Sequence, residues 1–191
     1  NVARVDSNYY CDGAVRDIKG AVLRCTKSHG TQTLLQGMNN SCNVTFVNVG
    51  RQVGRERFYK YIKAFGFGEN TGIDLNGEQS GIIPVNVDRI KEVNLATMSY
   101  GHGIAVTPMQ LINALSTIAN GGDLMKPRLV KELVDEEGKI QQTFDPVIRR
   151  KVISESTSKT MLDMLEHVVS EGTGKKAYIP GFRVGGKTGT A

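Results

Sequence analysis

Two tripeptides combine side chains that can bind an anion and move a proton: Ser-Cys-Asn at 41–43 and Lys-Thr-Gly at 187–189. A lysine beside a threonine hydroxyl can bind a carboxylate by charge and hydrogen bond, and the glycine leaves room for a ligand backbone along a strand edge. The Ser41 hydroxyl can relay a proton to or from a leaving amine, and the Asn43 amide can donate to a ligand amide. Either tripeptide alone also fits a turn with a surface lysine, so the rest of the chain must decide.

Three cysteines and a histidine form a second group: Cys11, Cys25, His29 and Cys42. The Cys25-x₃-His29 spacing suits chelation, and the other two cysteines would complete a Cys₃His set typical of structural zinc. The alternatives are a Cys11–Cys25 disulfide with Cys42 as a small buried filler, or three unrelated thiols. An odd cysteine count leaves at least one thiol outside any disulfide within the chain.

Two helices are predicted in the second half of the chain. Thr107, followed by a proline and by Gln110, is typical of a capping box, and the helix should end at Asn120-Gly121. Its buried face is predicted from its apolar side chains, Leu111, Ile112, Leu115, Ile118 and Ala119. A second helix is predicted from about Ser154 to Glu171, with an apolar stripe and Gly172 as its end.

The other segments are less regular. Residues 1–40 are interpreted as irregular apart from a turn at Gly20 and a short strand after it. A helix around Phe58–Phe65 should end at Gly66, before a glycine-rich surface loop that runs to Pro84. The alternation of bulky and small residues over 182–190 predicts a strand that another backbone approaches closely.

Composition excludes several classes of protein. The chain has 191 residues, 24 Lys and Arg against 19 Asp and Glu, and 39% hydrophobic residues, which is typical of one large or two small folded domains. The basic residues are scattered, so no nucleic-acid partner is expected. No apolar run approaches the roughly 18 residues of a membrane span, and residues 1–13 do not resemble a signal peptide, so any anchor is expected outside the chain.

The segments between the two tripeptides resemble, in the right order, the class B penicillin-binding proteins, which are monofunctional D,D-transpeptidases of peptidoglycan synthesis. The similar segments are Asn70–Glu78, Ser99–Leu111, Ala119–Gly122, Glu171–Lys175 and Gly185–Ala191. Asn39–Asn43 looks most like the elongation and sporulation branches of Gram-positive bacteria. The resemblance covers nearly the whole chain, and His102 stands where the family usually has glutamine.

The resemblance implies an α/β (α+β) fold of the penicillin-binding protein and serine β-lactamase type, with helices against an antiparallel sheet. It also implies acyl transfer, in which a serine attacks the penultimate D-Ala of a stem peptide and an amine of a neighbouring stem resolves the acyl-enzyme. The implied catalytic residues are Ser41, Asn43 and Lys187, and the implied substrate-binding residues are Thr188, Gly189 and Thr190.

The resemblance implies partners and a location as well. The expected partners are peptidoglycan stem peptides, β-lactam antibiotics and a membrane glycosyltransferase, at the extracytoplasmic face of a bacterial membrane. Relatives of the elongation type can also carry zinc beside the active centre, which implies Cys11, Cys25, His29 and Cys42 as ligands. Asp12 is the first substitute ligand to test.

The nucleophile is the main departure from the family pattern. The family's acylated serine, in Ser-x-x-Lys, precedes Ser-x-Asn, and no such motif precedes Ser41. Residues 1–191 are therefore expected to be a partial transpeptidase domain that also lacks the strands after the Lys-Thr-Gly strand. The one formal match, Ser156 with Lys159, is in the wrong order, and we expect no acylation of the isolated chain by a labelled penicillin; labelling at Ser156 would contradict this.

Two other functions share the same fold. One is a β-lactam sensor that stays acylated, and the other is a zinc-stapled structural module without catalysis. A Ser-x-x-Lys motif immediately upstream of Asn1 would favour the enzyme, and its lack would favour the structural module.

Overall fold

Short antiparallel strand pairs and helices alternate along residues 2–189, the part of the chain that the computed structural model describes. They form two compact units. The first contains the described parts of Asn1–Lys60, Pro84–Ile104 and Lys159–Ala191, and the second contains Tyr61–Ile83 and Ala105–Ser158. No helix within residues 2–189 combines the length and apolar character needed to cross a membrane.

The strands of the first unit lie in its first 33 residues. Strand β1, Asn8–Cys11, pairs antiparallel with β4, Gly30–Thr33, and places Cys11 opposite Gly30. Strand β2, Ala14–Val15, pairs with β3, Leu23–Arg24. The turn at Gly20 and the strand after it were predicted correctly, but the irregular interpretation of residues 1–40 missed β1, β2, β4 and a helix at Leu34–Asn39. Strand β1 has two adjacent tyrosines before Cys11, and β4 has no apolar residue, so neither shows the alternation of polar and apolar residues that would predict a strand.

The first unit also contains most of the helices. They are α1 (Leu34–Asn39), α2 (Asn43–Val53) and α4 (Glu92–Met98), while α3 (Arg55–Ala64) and α6 (Glu155–Ser170) contribute residues to both units. A core cluster is formed by Cys11, Val15, Ile18, Cys42, Val44, Val47 and Ala96. Because Cys42 belongs to this core, the middle residue of the Ser-Cys-Asn tripeptide is buried.

The second unit contains one whole helix, two strand pairs and the parts of α3 and α6 that belong to it. Helix α5, Pro108–Ala119, begins at Thr107 with the predicted capping box and is followed by Asn120 and Gly121, the latter at φ +93°. Strand β5, Asp123–Met125, pairs with β8, Ile148–Lys151. Strand β6, Glu132–Val134, pairs with β7, Ile140–Thr143.

The predicted buried face of α5 was wrong. Its buried residues are Gln110, Asn113, Ala114 and Thr117, whereas Leu111, Ile112 and Leu115 are exposed. The polar side chains are buried because they bond backbone carbonyls of neighbouring segments. Gln110 Nε2 donates to Glu69 O at 2.8 Å and to Ser80 O at 2.7 Å, and Asn113 Nδ2 donates to Met125 O at 3.0 Å.

Helix α6 is present as predicted, but the strand predicted over 182–190 is not found within the described residues 182–189. A strand needs a neighbouring strand for its ladder, and this segment lies against a helix instead. Gly186 N–H donates to Leu165 O of α6 at 3.1 Å. The close approach of another backbone was therefore predicted correctly, and that backbone belongs to α6. The strand itself was predicted wrongly.

Candidate active site

Ser41 lies in the tight turn between α1 and α2, and its backbone is left-handed, with φ +52°. This conformation costs a residue with a Cβ about 1–2 kcal/mol. Two backbone hydrogen bonds hold the turn: Ser41 N–H donates to Met38 O at 3.1 Å, and Cys42 N–H donates to Gly37 O at 2.8 Å. The serine hydroxyl is thereby presented from a fixed and strained backbone.

A buried polar network supports this turn. Gln32 of β4, only 3% exposed, donates to Thr45 Oγ1 of α2 at 3.1 Å and accepts from Asn40 Nδ2 at 2.9 Å. The helices α1 and α2 also approach so closely that a Cβ on Gly37 would lie 2.6 Å from Thr45 Cγ2. Sequence reasoning missed Gln32, because a glutamine in a short polar strand has no pattern that predicts burial.

Lys187 reaches Ser41 across 146 positions of sequence: its Nζ donates to Ser41 Oγ at 2.8 Å. The same ammonium lies 3.2 Å from both Thr188 Oγ1 and Thr188 O. Partial removal of water from around it lowers the pKa of Lys187. The structure thus brings the two predicted tripeptides together through a lysine and two hydroxyls.

These residues line an open cleft of about 470 Å³. Its lining residues are Thr26, Ser41, Asn43, Phe46, Ser99, Tyr100, Gly101, His102, Lys187, Thr188 and Gly189. None of these described lining residues carries a carboxylate, so Lys187 faces no competing anion in the cleft. His102 is part of the cleft, with its ring edge-on to that of Tyr100 at a centroid distance of 5.3 Å.

Asn43 lies in the cleft, but its side chain is partly engaged. Its Nδ2 donates to Arg24 O of β3 at 2.9 Å, which leaves the second amide hydrogen and Oδ1 for a ligand. Gly189 lies in the cleft as predicted. Thr190 lies outside the described residues. Ser156 lies in the first turn of α6, where its Oγ is 2.9 Å from Ser154 Oγ.

The four predicted ligand residues also come together. Cys11 ends β1, Cys25 follows β3, His29 precedes β4, and Cys42 precedes α2, and their ligand atoms all lie within 4.8 Å of one another. His29 Nδ1 is 3.6 Å from both Cys11 Sγ and Cys25 Sγ, and Cys25 Sγ is 3.8 Å from Cys42 Sγ.

Three of these separations, at 3.6–3.8 Å, are close to those between the ligands of a four-coordinate metal. Around Zn²⁺, with sulfur at about 2.3 Å and nitrogen at about 2.0–2.1 Å, tetrahedral ligand atoms stand roughly 3.5–3.8 Å apart. All three thiols are free in the structure. The Asp12 carboxylate is not part of the cluster; it accepts from Arg16 Nη1 at 2.6 Å.

The thiols differ in their electrostatic surroundings. Burial raises the pKa of Cys42 to about 11. Burial also acts to raise the pKa of Cys25, but the N–H groups of Asn43 and Val44 at the start of α2 lead the donors that together outweigh it, so this pKa is lowered. Burial, and then the charge of Lys27, lower the pKa of His29.

The fold and the cleft define a domain of the transpeptidase type, with helices and antiparallel strands around a Ser-x-Asn turn and a Lys-Thr-Gly segment. Residues 8–191 match the family model described as the penicillin-binding protein transpeptidase domain, and the chain belongs to this family. The predicted resemblance to class B penicillin-binding proteins and the predicted fold class are confirmed.

Two relatives show how far the similarity extends. The chain is 46% identical over 185 residues to stage V sporulation protein D of Bacillus subtilis, covering 95% of this chain and 28% of that protein. It is 31% identical over 175 residues to the peptidoglycan D,D-transpeptidase FtsI of Escherichia coli K12, covering 91% of this chain and 28% of that one. The chain therefore spans less than a third of the length of these relatives.

Solved structures of similar proteins have the same fold. The D,D-transpeptidase domain of a peptidoglycan glycosyltransferase from Eggerthella lenta aligns over 100% of this chain and 49% of its own, with a TM-score of 0.88 at 26% identity. Penicillin-binding protein 3 of Mycobacterium tuberculosis, complexed with aztreonam, aligns over 100% of this chain and 44% of its own, with a TM-score of 0.87 at 30% identity.

Proposed function

We propose that this chain forms part of the active site of a peptidoglycan D,D-transpeptidase that also binds β-lactams. The observation that carries the proposal is the 2.8 Å contact between Lys187 Nζ and Ser41 Oγ in a cleft lined by no described carboxylate. A lysine with hydroxyls beside it and no competing anion is suited to a ligand carboxylate. The terminal D-Ala of a stem peptide and a β-lactam both carry such a group.

In the acylation step, a serine oxygen forms a bond to the carbonyl carbon of the penultimate D-Ala, and the bond to the leaving D-Ala nitrogen breaks. We assign the nucleophile to none of the described residues. Ser41 gives its hydroxyl proton to the leaving nitrogen and takes up the proton that the attacking serine loses. Lys187 Nζ, which donates a hydrogen bond to the Ser41 oxygen, keeps its charge. Lys187 and Thr188 hold the terminal carboxylate, and the free amide hydrogen of Asn43 bonds the substrate backbone.

We further propose that Cys11, Cys25, His29 and Cys42 hold one structural Zn²⁺. The ligand separations support this, as does the complete burial of the Cys11 and Cys42 side chains. Four protein ligands would leave no position for water, so the metal would supply rigidity and not hydrolysis. Metal analysis of the purified protein should give one equivalent of zinc, and a protein free of metal with a Cys11–Cys25 disulfide would contradict this.

The proposal extends to partners and location. Stem peptides lie in the cell wall, so the cleft would act at the extracytoplasmic face of the bacterial membrane. A membrane glycosyltransferase that makes the glycan strands is the expected partner. The Eggerthella lenta neighbour, described as a transpeptidase domain of a peptidoglycan glycosyltransferase, supports an association of the two activities.

The test is acylation of the full-length natural protein that contains this sequence. A fluorescent penicillin should label it, and K187M should lower the second-order labelling rate by about 100-fold, because the charge-assisted hydrogen bonds to the carboxylate are lost. Lys19→Met is the matched control, since Lys19 is exposed and is not among the cleft-lining residues. Equal labelling of wild type and K187M would refute the proposed role of the cleft.

A second assay separates the enzyme from its alternatives. An enzyme releases D-Ala from a stem pentapeptide when an acceptor amine is present, whereas a sensor takes up the label but releases no D-Ala. A structural module shows neither reaction.

A further inference from the structure

The segment after α6 connects the two halves of the cleft. Thr173 N–H donates to Asn39 O at 2.9 Å, and Asn39 stands two positions before Ser41. The Thr173 side chain lies on the other half, with its Oγ1 3.2 Å from Thr188 Oγ1. One residue therefore contacts the end of α1, which leads into the Ser41 turn, and the threonine that follows Lys187.

The backbone around Thr173 is held in place without its side chain. A Cβ on Gly172 would lie 2.7 Å from Asn39 O, so glycine permits the close approach of the two segments. Gly174 N–H donates to Val168 O of α6 at 3.0 Å. The Thr173 side chain is thus not needed to bring this segment to the cleft, and the contact of its hydroxyl with Thr188 requires another explanation.

The protons of the hydroxyls supply that explanation. A threonine hydroxyl has one proton and two lone pairs. Lys187 Nζ is a donor to Thr188 Oγ1 at 3.2 Å and occupies one lone pair. If the Thr188 hydroxyl donated its proton to Thr173, it would have no proton left to donate to an anion in the cleft. If Thr173 donates instead, both lone pairs of Thr188 Oγ1 are filled and its proton is available to a ligand.

We propose that Thr173 is a positioning residue whose hydroxyl donates to Thr188 Oγ1 and so directs the Thr188 proton to the carboxylate of the substrate or β-lactam. This inference rests on the proposed function, because it assumes that Lys187 and Thr188 bind a carboxylate. Thr173 itself touches no reacting atom. It acts on carboxylate binding and leaves the bond-forming step unchanged.

The experiment compares T173V and T173S in the full-length natural protein that contains this sequence. Valine keeps the shape and the backbone N–H and removes only the hydroxyl, whereas serine keeps the hydroxyl. Acylation by a penicillin is measured over a range of concentrations, which separates the half-saturating concentration from the limiting rate. The same penicillin with its carboxylate converted to a methyl ester is the second probe.

For T173V, the half-saturating concentration of the free acid should rise about tenfold, the usual effect of losing one hydrogen bond to a charged group. The limiting rate should stay within about twofold, and T173S should behave like wild type within the same margin. With the methyl ester, wild type and T173V should have the same half-saturating concentration, because the ester has no carboxylate anion to accept a hydrogen bond from Thr188.

Three results would overturn the inference: an unchanged half-saturating concentration for T173V, an equal loss with the acid and the ester, or a fall confined to the limiting rate. If valine lowers the melting temperature, T173A replaces it under the same criteria. The proposed function fails separately, when wild type is not acylated or when K187M keeps the full preference for acid over ester. If K187M loses that preference while T173V keeps the half-saturating concentration of wild type, only the proposed role of Thr173 is contradicted.

Discussion

At the scale of single residues, Ser41 combines a reactive hydroxyl with an unfavourable backbone. Its left-handed φ is held by hydrogen bonds of the turn and by burial of the next residue, Cys42. Such strain persists only where the surrounding structure over-determines the conformation. The strained turn therefore lowers the stability of the fold and fixes the position of the Ser41 hydroxyl opposite Lys187.

The backbone strain at Ser41 predicts different stabilities for two variants that both lack the hydroxyl. S41G should be more stable than S41A by about 1 kcal/mol, because glycine adopts positive φ without the steric penalty of a Cβ. Chemical denaturation of residues 1–191 measures the difference. Labelling by penicillin in the full-length natural protein should be impaired alike in both, so an S41A protein as stable as S41G would contradict the strain.

The lowered pKa of Lys187 predicts a pH dependence of ligand binding. Below that pKa the ammonium is charged and attracts a carboxylate; as pH rises through it, the charge is lost at a lower pH than for an ordinary lysine. The preference of the full-length protein for a penicillin acid over its methyl ester should therefore decline, roughly tenfold or more, on the alkaline side.

K187R is the matched control for this pH dependence, because a guanidinium stays charged throughout the range. Its acid preference should be flat with pH. Tyr100 also lines the cleft, and burial raises its pKa above the ordinary value. Because Tyr100 is present in both proteins, the comparison with K187R separates its titration from that of the lysine. A decline of equal size in K187R would assign the effect to another group.

At the scale of elements, helix α5 shows that tertiary contacts can determine which face of a helix is buried, against the hydrophobic periodicity of its sequence. Leu111, Ile112 and Leu115 of this helix are exposed, whereas its polar side chains are buried. Gln110 bonds carbonyls of the loop that precedes the helix, and Asn113 bonds Met125 O of the strand that follows it. Gln110 has a double function, since its Oε1 also accepts from Thr107 N–H at 2.9 Å in the capping box. The Gln110 side chain therefore both caps the helix N-terminus and binds the loop to the helix.

This arrangement predicts an unusual order of stabilities. Q110M should destabilise residues 1–191 by roughly 2–4 kcal/mol, because two carbonyls and the capping N–H lose a partner. L111Q, at an exposed position on the same helix, should change stability by less than about 0.5 kcal/mol. Urea unfolding of both variants checks the order, and a larger loss for L111Q would show that the apolar stripe is the buried one.

At the scale of the whole molecule, the proposed zinc site would couple distant parts of the first unit. Cys11, Cys25 and His29 belong to the strand region, and Cys42 stands between Ser41 and Asn43. The Asn43 amide is bonded to Arg24 O, next to Cys25. A metal shared by these segments would fix the orientation of two cleft side chains without touching a ligand.

Removal of the metal should therefore lower the melting temperature of the purified protein. A loss of about 3 kcal/mol corresponds to roughly 10 °C for a chain of this size. C42S should bind less than one equivalent of zinc, whereas Asp12→Asn should keep the full amount, since the Asp12 carboxylate pairs with Arg16. Cobalt substitution gives a readout independent of activity, and a spectrum without thiolate-to-metal bands would count against the site.

Much of the candidate site was predictable because its motifs follow one another in the order of a known family, although each motif alone is weak evidence. Lysine beside threonine, serine two positions before asparagine, and three cysteines with a histidine each indicate a chemistry before any fold is known. The role of Thr173 had no such signal, although its segment is part of the family resemblance. A lone threonine after a helix acquires a role only from what lies opposite its hydroxyl.

The sequence by itself determined the features that depend on near neighbours, such as the capping box of Thr107 and Gln110, whose partners are three residues apart. It also determined the family, since the order of motifs is a property of the chain. Only the tertiary structure decided that Lys187 meets Ser41, that Asn43 is tied to Arg24, and that α5 buries its polar side. These contacts join atoms far apart in sequence, and their formation depends on burial and on carbonyls supplied by other segments.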